Sequence, residues 1–340
     1  MELSSFNPNF ESKVAQGTAL PQEWLNALRS GSKQALAKAI TLTESTKEDD
    51  RQLARTLVQH CERTGSSLRI GITGVPGVGK STFIDQLGTF LIQQKNKKVA
   101  VLAVDPSSGR SGGSILGDKT RMAQLVLNDA AYIRPIPSRK ELGGVASGLS
   151  EAIVLSEEAG FDVVFIETVG VGQSETDVTE LVDVIVFLLL PNSGDDLQGI
   201  KRGIMEEVHI VAVNKSEGDQ LMAAKKTKML LDAVLQIMPG PIEGELREVL
   251  LCSAETGQGI AELWTAVEQL QQRLNDSSCL QENRKQQKVK RFHRLLNQML
   301  QDSFFQNPTI AEHLVQVADD VACGKIDAYQ AALNMFQQKK

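Results

Sequence analysis

The stretch Arg69-Ile-Gly-Ile-Thr-Gly74-Val75-Pro76-Gly77-Val78-Gly79-Lys80-Ser81-Thr82 decides how the rest of this chain is read. Leu68, Ile70 and Ile72 form the apolar run of a buried strand. Gly74 to Ser81 matches the spacing G-x-x-x-x-G-K-[ST], and Thr82 to Gln94 places Phe83, Leu87, Phe90 and Leu91 on one helical face. A glycine-rich turn that merely contains Lys-Ser needs neither the strand before it nor the helix behind it. Gly74, Gly77 and Gly79 let backbone N–H groups approach an anion that side chains would obstruct, and the anion then sits at the positive end of the following helix. In that geometry Lys80 reaches the β- and γ-phosphates of a nucleotide, and the Ser81 hydroxyl ligates Mg²⁺, an ion that prefers oxygen. With Val75, Pro76, Val78 and Thr82 these residues form the candidate phosphate-binding set.

The chain has 340 residues, room for one large α/β domain with helical additions or for two domains. Its 36 Lys and Arg against 42 Asp and Glu give a formal charge of -6, which argues against a dedicated nucleic-acid binder. Cys61, Cys252, Cys279 and Cys323 are scattered without a C-x-x-C pair, so they read as reduced thiols of a cytoplasmic protein, not as a zinc site or disulfide framework. The start of the chain lacks a basic segment followed by an apolar core. The most apolar run, Val184 to Leu190, is too short to cross a bilayer, so no membrane association is expected.

Three regions are expected. Residues 1–66 read as a helical extension, with helices over Pro21 to Leu28, Lys33 to Thr43 and Asp49 to Arg63 whose apolar spacing buries one face. The adjacent His60 and Cys61 are assigned no ligand role. Residues 67–274 alternate apolar runs with helical stretches, the pattern of a mostly parallel sheet flanked by helices. Strands are predicted at Leu68 to Thr73, Lys98 to Val104, Ala131 to Ile136, Asp162 to Glu167, Val182 to Leu190, Val208 to Asn214 and Glu248 to Cys252. Residues 275–340 form a C-terminal helical arm: Asn275 to Ser278 reads as a linker, a long amphipathic helix opens at Arg284, and Pro308 breaks it. Its basic run, Lys285 to Arg294, is read as a solvated face.

Ligands of such sheets bind beyond the carboxyl ends of the strands, where the unusual residues fall. Asp105 follows one strand, and Asp118 lies in the glycine-rich stretch Gly112 to Arg121. A carboxylate there holds Mg²⁺ or positions the attacking water; taken singly, a turn-opening role for Asp105 and a helix-cap role for Asp118 are equally good readings. Glu167 closes another strand ahead of Gly170 and Gly172, as a loop that senses the γ-phosphate requires. The candidate catalytic residues are therefore Lys80, Asp105, Asp118 and Glu167, and the candidate metal ligands Ser81, Asp105 and Glu167.

Asn214-Lys215-Ser216-Glu217 resembles the guanine-reading N-K-x-D motif, with Glu217 where Asp is usual. A carboxylate there accepts hydrogen bonds from the guanine ring N–H and exocyclic amine, a donor pattern that adenine lacks. Ser253-Ala254 resembles the S-A motif whose backbone meets the guanine oxygen. Both motifs at strand ends, in this order, favour GTP over ATP.

Beyond these motifs, Asp105-Pro-Ser-Ser with Gly112 to Met122, Pro137-Ser-Arg with Leu142 to Ala146, Glu167-Thr-Val-Gly-Val-Gly-Gln-Ser-Glu175 and Gly194 to Gly203 resemble the MeaB/ArgK family over nearly the whole chain. These are P-loop GTPases of the SIMIBI class, called methylmalonic aciduria type A protein in animals. The resemblance implies a GTP/GDP-binding, Mg²⁺-dependent hydrolase that acts as a chaperone for adenosylcobalamin-dependent methylmalonyl-CoA mutase. It also implies a homodimer made through the C-terminal arm, and a third switch at Gly194 to Gly203, including Lys201, that couples nucleotide state to the mutase. The chain departs from the family pattern at Asn192 for Gly, Glu217 for Asp, and Glu207-Val208-His209 for Ile-Ala-Asp. No internal arginine finger stands out; Arg110, Arg121 and Arg139 are candidates. A transport-linked ATPase or kinase would want an LSGGQ-like signature, and a nickel-insertion GTPase a His- or Cys-rich segment; the sequence carries neither. A module that binds nucleotide without turnover is the non-enzymatic alternative.

Overall fold

The structure, a computed structural model, describes residues 21–45, 47–105, 121–137, 146–168, 178–192, 202–242, 247–305 and 307–337. Seven strands form one parallel sheet: β1 (Leu68–Gly74), β2 (Val99–Asp105), β3 (Ala131–Pro137), β4 (Val163–Glu167), β5 (Val184–Leu189), β6 (Ile210–Val213) and β7 (Glu248–Leu251). Their spatial order is β3-β2-β4-β1-β5-β6-β7, and every ladder is parallel. All seven expected strands are present. Four strands begin one or two residues later than expected, at Val99, Val163, Val184 and Ile210, where Lys98, Asp162, Asp183 and His209 just before them are committed to other hydrogen bonds.

Because side chains alternate across a strand, each strand feeds two cores. Val184, Val186 and Leu188 of β5 face the cluster built with Phe83, Ile84 and Leu87 of α4 (Lys80–Lys95) and Leu263, Trp264 and Val267 of α9 (Ile260–Asp276). Ile185, Phe187 and Leu189 face the other cluster. There the sheet meets α6 (Ala146–Glu158), α8 (Leu221–Ile237) and the N-terminal helices α1 (Pro21–Arg29), α2 (Lys33–Thr43) and α3 (Glu48–Gln59). Trp24, Leu25, Leu28, Leu36, Ile40 and Leu57 are all buried in it. At about 1.5–3 kcal/mol for each large side chain buried, the N-terminal helices are part of the domain core. The third ends at Gln59, earlier than the expected Arg63, because the amides of Glu62, Arg63 and Gly65 are claimed by carboxylates of α6.

Those carboxylates form an ion network at the amino ends of the strands. Glu157 takes Arg69 in a two-pronged pair, Nε–Oε1 2.8 Å and Nη2–Oε2 3.0 Å, and also the Gly65 N–H at 2.6 Å. Glu158 accepts the amides of Glu62 and Arg63 and the Arg29 guanidinium. Burial pushes the Glu158 carboxyl up, but these donors outweigh it and hold it below the ordinary range. Asp183, wholly buried, takes the Arg69 N–H at 2.9 Å and Arg284 at 2.9 and 2.7 Å. Carboxylates this deep are tolerated only when paired on all sides, and losing one partner costs several kcal/mol.

His209 sits just ahead of β6. Its N–H donates to the Ile185 carbonyl at 3.1 Å, and its Nδ1 accepts the Ile185 N–H at 3.2 Å. Burial pushes the imidazole down to about 4 from an ordinary 6.5. Protonation would set a second donor against the Ile185 N–H, so the folded state keeps the ring neutral while the unfolded chain protonates below 6.5. This contribution to stability is full above pH 6.5, declines as pH falls and is gone below about 4. At 1.4 kcal/mol per pKa unit it is on the order of 3 kcal/mol. Urea midpoints should therefore fall between pH 6.5 and 4 more steeply in the native chain than in His209→Gln; equal slopes would refute the assignment.

The described chain divides into two compact units, the larger reaching Gln287 and the smaller containing Lys288–Lys340. The helix expected to open at Arg284 is α10 (Cys279–Phe305), and it begins one tight turn after α9. Ser278 takes a positive φ of 60° there, so the expected linker is reduced to Ser277-Ser278. In the smaller unit, α11 (Pro308–Ala322) and α12 (Ala328–Gln337) bury Ile310, Ala331 and Met335, and Phe304 stacks on Phe336 with ring centroids 5.9 Å apart.

Candidate functional site

The loop Val75 to Gly79 joins β1 to α4 at the carboxyl edge of the sheet. Gly79 precedes the helix with φ 93°. The Lys80 ammonium is folded back onto the loop, donating to Gly74 O at 2.9 Å and to Val75 O at 3.3 Å. Val78 is buried, while Pro76, Gly77 and Thr82 are exposed. The amino end of α4 thus opens to solvent beside a cation, an arrangement suited to an anion.

Glu167 arrives from β4, whose register sets it opposite Ile72 of β1 and Ala103 of β2. Its Oε1 accepts the Ser81 hydroxyl at 2.7 Å, and both residues are buried. Asp105 closes β2 two residues beyond Ala103; its side chain lies outside the described residues. A hydroxyl and a carboxylate in contact at the helix start are hard oxygen donors, and this donor set fits Mg²⁺, directly or through water.

A second group comes from the ends of β6 and β7. The Asn214 amide donates from Nδ2 to Val78 O at 2.8 Å, while its Oδ1 accepts the Ala254 N–H at 2.9 Å. Lys215, in the left-handed region with φ 59°, donates to Gly77 O at 3.1 Å. Asn214 and Lys215 therefore fasten the phosphate loop to the turn after β7. Ser253 closes that turn, its hydroxyl accepting the Thr256 N–H at 3.0 Å. Glu217 is half-buried, and its Oε2 is enclosed without a hydrogen bond among the described residues. A carboxylate oxygen beside the Ala254 turn can receive the N–H edge of a purine such as guanine.

The structure thus brings Gly74 to Thr82, Glu167, Asn214, Lys215, Glu217, Ser253 and Ala254 to one edge of the sheet. Asp118, Arg110, Arg139 and residues 194–201 lie outside the described residues, and Arg121 is exposed. Asn192 adopts φ 67° with its N–H on Thr227 Oγ1 at 3.0 Å, a conformation that Asn tolerates and that explains why it can replace Gly there.

One feature that spacing does not reveal is Asp85. Buried on α4, it accepts the Leu125 N–H at 2.8 Å and the Gln124 N–H at 3.3 Å, holding α5 (Ala123–Val126) against the phosphate-loop helix. Its sequence signal is a lone acid on the apolar side of a helix.

A family model described as methylmalonyl-CoA mutase-associated GTPase MeaB matches residues 36–309. The chain belongs to the MeaB family. A probable GTPase of Mycobacterium tuberculosis is 45% identical over 313 residues, covering 92% of this chain and 93% of that protein. The mouse mitochondrial methylmalonic aciduria type A homolog is 40% identical over 316 residues, covering 90% and 76%. Among solved structures, one titled LAO/AO transport system kinase superposes with a TM-score of 0.71 at 32% identity, covering 98% of this chain and 99% of that one. This MeaB-family chain is a GTPase with a P-loop NTPase fold that binds guanine nucleotide. Among the described residues, no helix is long and apolar enough to cross a membrane.

Proposed function

We propose that this GTPase acts as a chaperone that gates or protects an adenosylcobalamin-dependent acyl-CoA mutase, methylmalonyl-CoA mutase being the first candidate. The observation that carries this reading is the family match over residues 36–309, whose description names the mutase; the mouse relative is named for methylmalonic aciduria. In the proposed cycle the N–H groups of the loop from Gly77 to Ser81 and the Lys80 ammonium meet the phosphates. Ser81, Asp105 and Glu167 would hold Mg²⁺, which would supply positive charge against the phosphates. Asp105, Asp118 and Glu167 line the metal and water region, one of these carboxylates orienting the attacking water, while Asn214, Lys215, Glu217, Ser253 and Ala254 hold the base. Residues 194–203, with Lys201, carry the nucleotide state to the mutase.

The arm of residues 275–340 is proposed to make a homodimer. Val289, Phe292, Leu296, Met299 and Leu300 of α10 are all exposed in the single chain. Apolar side chains recurring along one helix in this way mark an association surface.

Mutase affinity, measured once with GDP and once with a non-hydrolysable GTP analogue, is expected to differ between the two states, since a nucleotide shifts an equilibrium only by its differential affinity. Equal affinity and equal mutase activity in both states would overturn the gating reading.

A further inference from the structure

Ser216, the residue between Lys215 and Glu217, is 4% exposed and presents nothing to a ligand. Its hydroxyl lies 2.6 Å from Val213 O, the end of β6, and 2.9 Å from Cys252 O, just past the end of β7. Its backbone N–H also donates to Cys252 O, at 3.1 Å. The β6–β7 ladder has its last paired residues at Val213 and Leu251, with one more bond from Cys252 N to Val213 O at 2.9 Å. Ser216 therefore continues the join past the sheet, where the chain has turned through the left-handed Lys215.

Two cross-links then tie the two base-side loops. Asn214 Oδ1 accepts the Ala254 N–H, and the Ser216 hydroxyl donates to the Cys252 carbonyl. Cys252, itself buried, adds a weak S–H bond to Asn214 Oδ1 at 3.7 Å. Burial, reinforced by the nearby Glu217 carboxylate, pushes this thiol up to about 12, so it stays protonated and able to donate.

The tie at Ser216 immediately precedes Glu217. A glutamate carries one more rotatable bond than the aspartate usual in the motif, and it can deliver its carboxylate to a fixed point only if its backbone is fixed. We infer that Ser216 is a specificity-setting positioning residue, locking the Asn214–Glu217 loop to the Cys252–Ala254 turn so that the longer acid at 217 reads the guanine edge. This rests on the assignment of Glu217 as the base-reading acid.

The test compares GDP with IDP, which lacks the exocyclic amine, using the full chain. Ser216→Ala should lose about tenfold in GDP affinity, the scale of one or two hydrogen bonds. IDP affinity should fall less, so that the GDP/IDP ratio drops. The kcat at saturating GTP should stay within about twofold, because Ser216 touches neither Lys80 nor Ser81, and Ser216→Thr, which keeps the hydroxyl, should restore the ratio. An unchanged ratio in Ser216→Ala, or an equal loss for both nucleotides, would overturn the inference. If Ser216→Ala does not fold, Cys252→Ala loosens the same junction through Asn214 and should lower the ratio too; an unchanged ratio there would count against the clasp. A native chain showing no preference for GDP over IDP would instead discard the base-reading role of Glu217.

Discussion

Lys80→Ala is expected to lower GTP turnover at saturation by about 10²–10³-fold, the usual cost of removing a preorganised donor from developing charge. The ammonium is held by the carbonyls of its own loop, Gly74 O at 2.9 Å and Val75 O at 3.3 Å. Carbonyls are neutral acceptors, and a phosphate oxygen is a stronger, charged one, so exchanging partners when nucleotide enters is favourable. Truncation has two consequences. Gly74 O and Val75 O lose a donor, which loosens the loop and weakens GDP binding. Charge on the γ-phosphoryl group also loses its fixed cation, which slows hydrolysis even when the site is filled. Phosphate release at saturating GTP, beside GDP affinity, separates the two. Lys80→Arg should not rescue, because a planar fork cannot replace a compact point charge between two carbonyls. Turnover retained within a few fold in Lys80→Ala would show that the ammonium does not serve the γ-phosphoryl group.

Both arrays of residues that meet at this edge were legible from spacing, for a physical reason. The phosphate loop is contiguous, Gly74 to Ser81, and its chemistry depends on local backbone conformation, so consecutive residues record it. Glu167, Asn214 and Ala254 are far apart along the chain, yet each follows an apolar run. In a parallel sheet every strand ends at the same edge, so strand order in sequence was enough to gather them.

What spacing did not disclose depends on pairings across long separations. Glu157 and Glu158 close an amphipathic helix and look like solvated acids. Only the fold shows that they face Arg69, Arg29 and the amides of Glu62 to Gly65. Arg284 reads as the residue that opens a long amphipathic helix, just ahead of a basic run, but its guanidinium is spent on Asp183 and on the carbonyls of Gly65 and Ser67. Hydropathy says how apolar a residue is. It says nothing about which charge will be buried against which, and that is also why β5 begins at Val184 and not at Val182: Asp183 receives Arg69 N–H and Arg284 just where the apolar pattern would extend the strand, and the Val182 carbonyl accepts Gln287 at 2.8 Å.

Gly74→Ala is expected to be the most damaging single methyl in the site, destabilising the chain by about 3 kcal/mol or more and abolishing detectable nucleotide binding. At φ 147° the backbone already lies where an L side chain is strained. A Cβ there would stand 2.3 Å from Leu188 O and 3.1 Å from Leu188 C. Those atoms belong to the backbone of β5, paired with Gly74 in the β1–β5 register, so no rotamer change relieves the overlap. Relief requires β1 to part from β5 where the chain leaves the sheet for the loop, and that displaces the Gly74 carbonyl that steadies Lys80. Gly77→Ala is the control. Its φ of 78° also favours glycine, but nothing lies within 4 Å of the added carbon, so the expected cost is the backbone strain alone, about 1–2 kcal/mol. Thermal unfolding of both variants without nucleotide distinguishes the two effects: Gly77→Ala should lose only what the strain takes and Gly74→Ala markedly more; with excess GDP, Gly74→Ala should show no stabilisation and Gly77→Ala a reduced one, because a side chain at 77 faces the anion. A Gly74→Ala protein that unfolds with the native midpoint and still responds to GDP would mean that the close contact with Leu188 is not a feature of the folded chain.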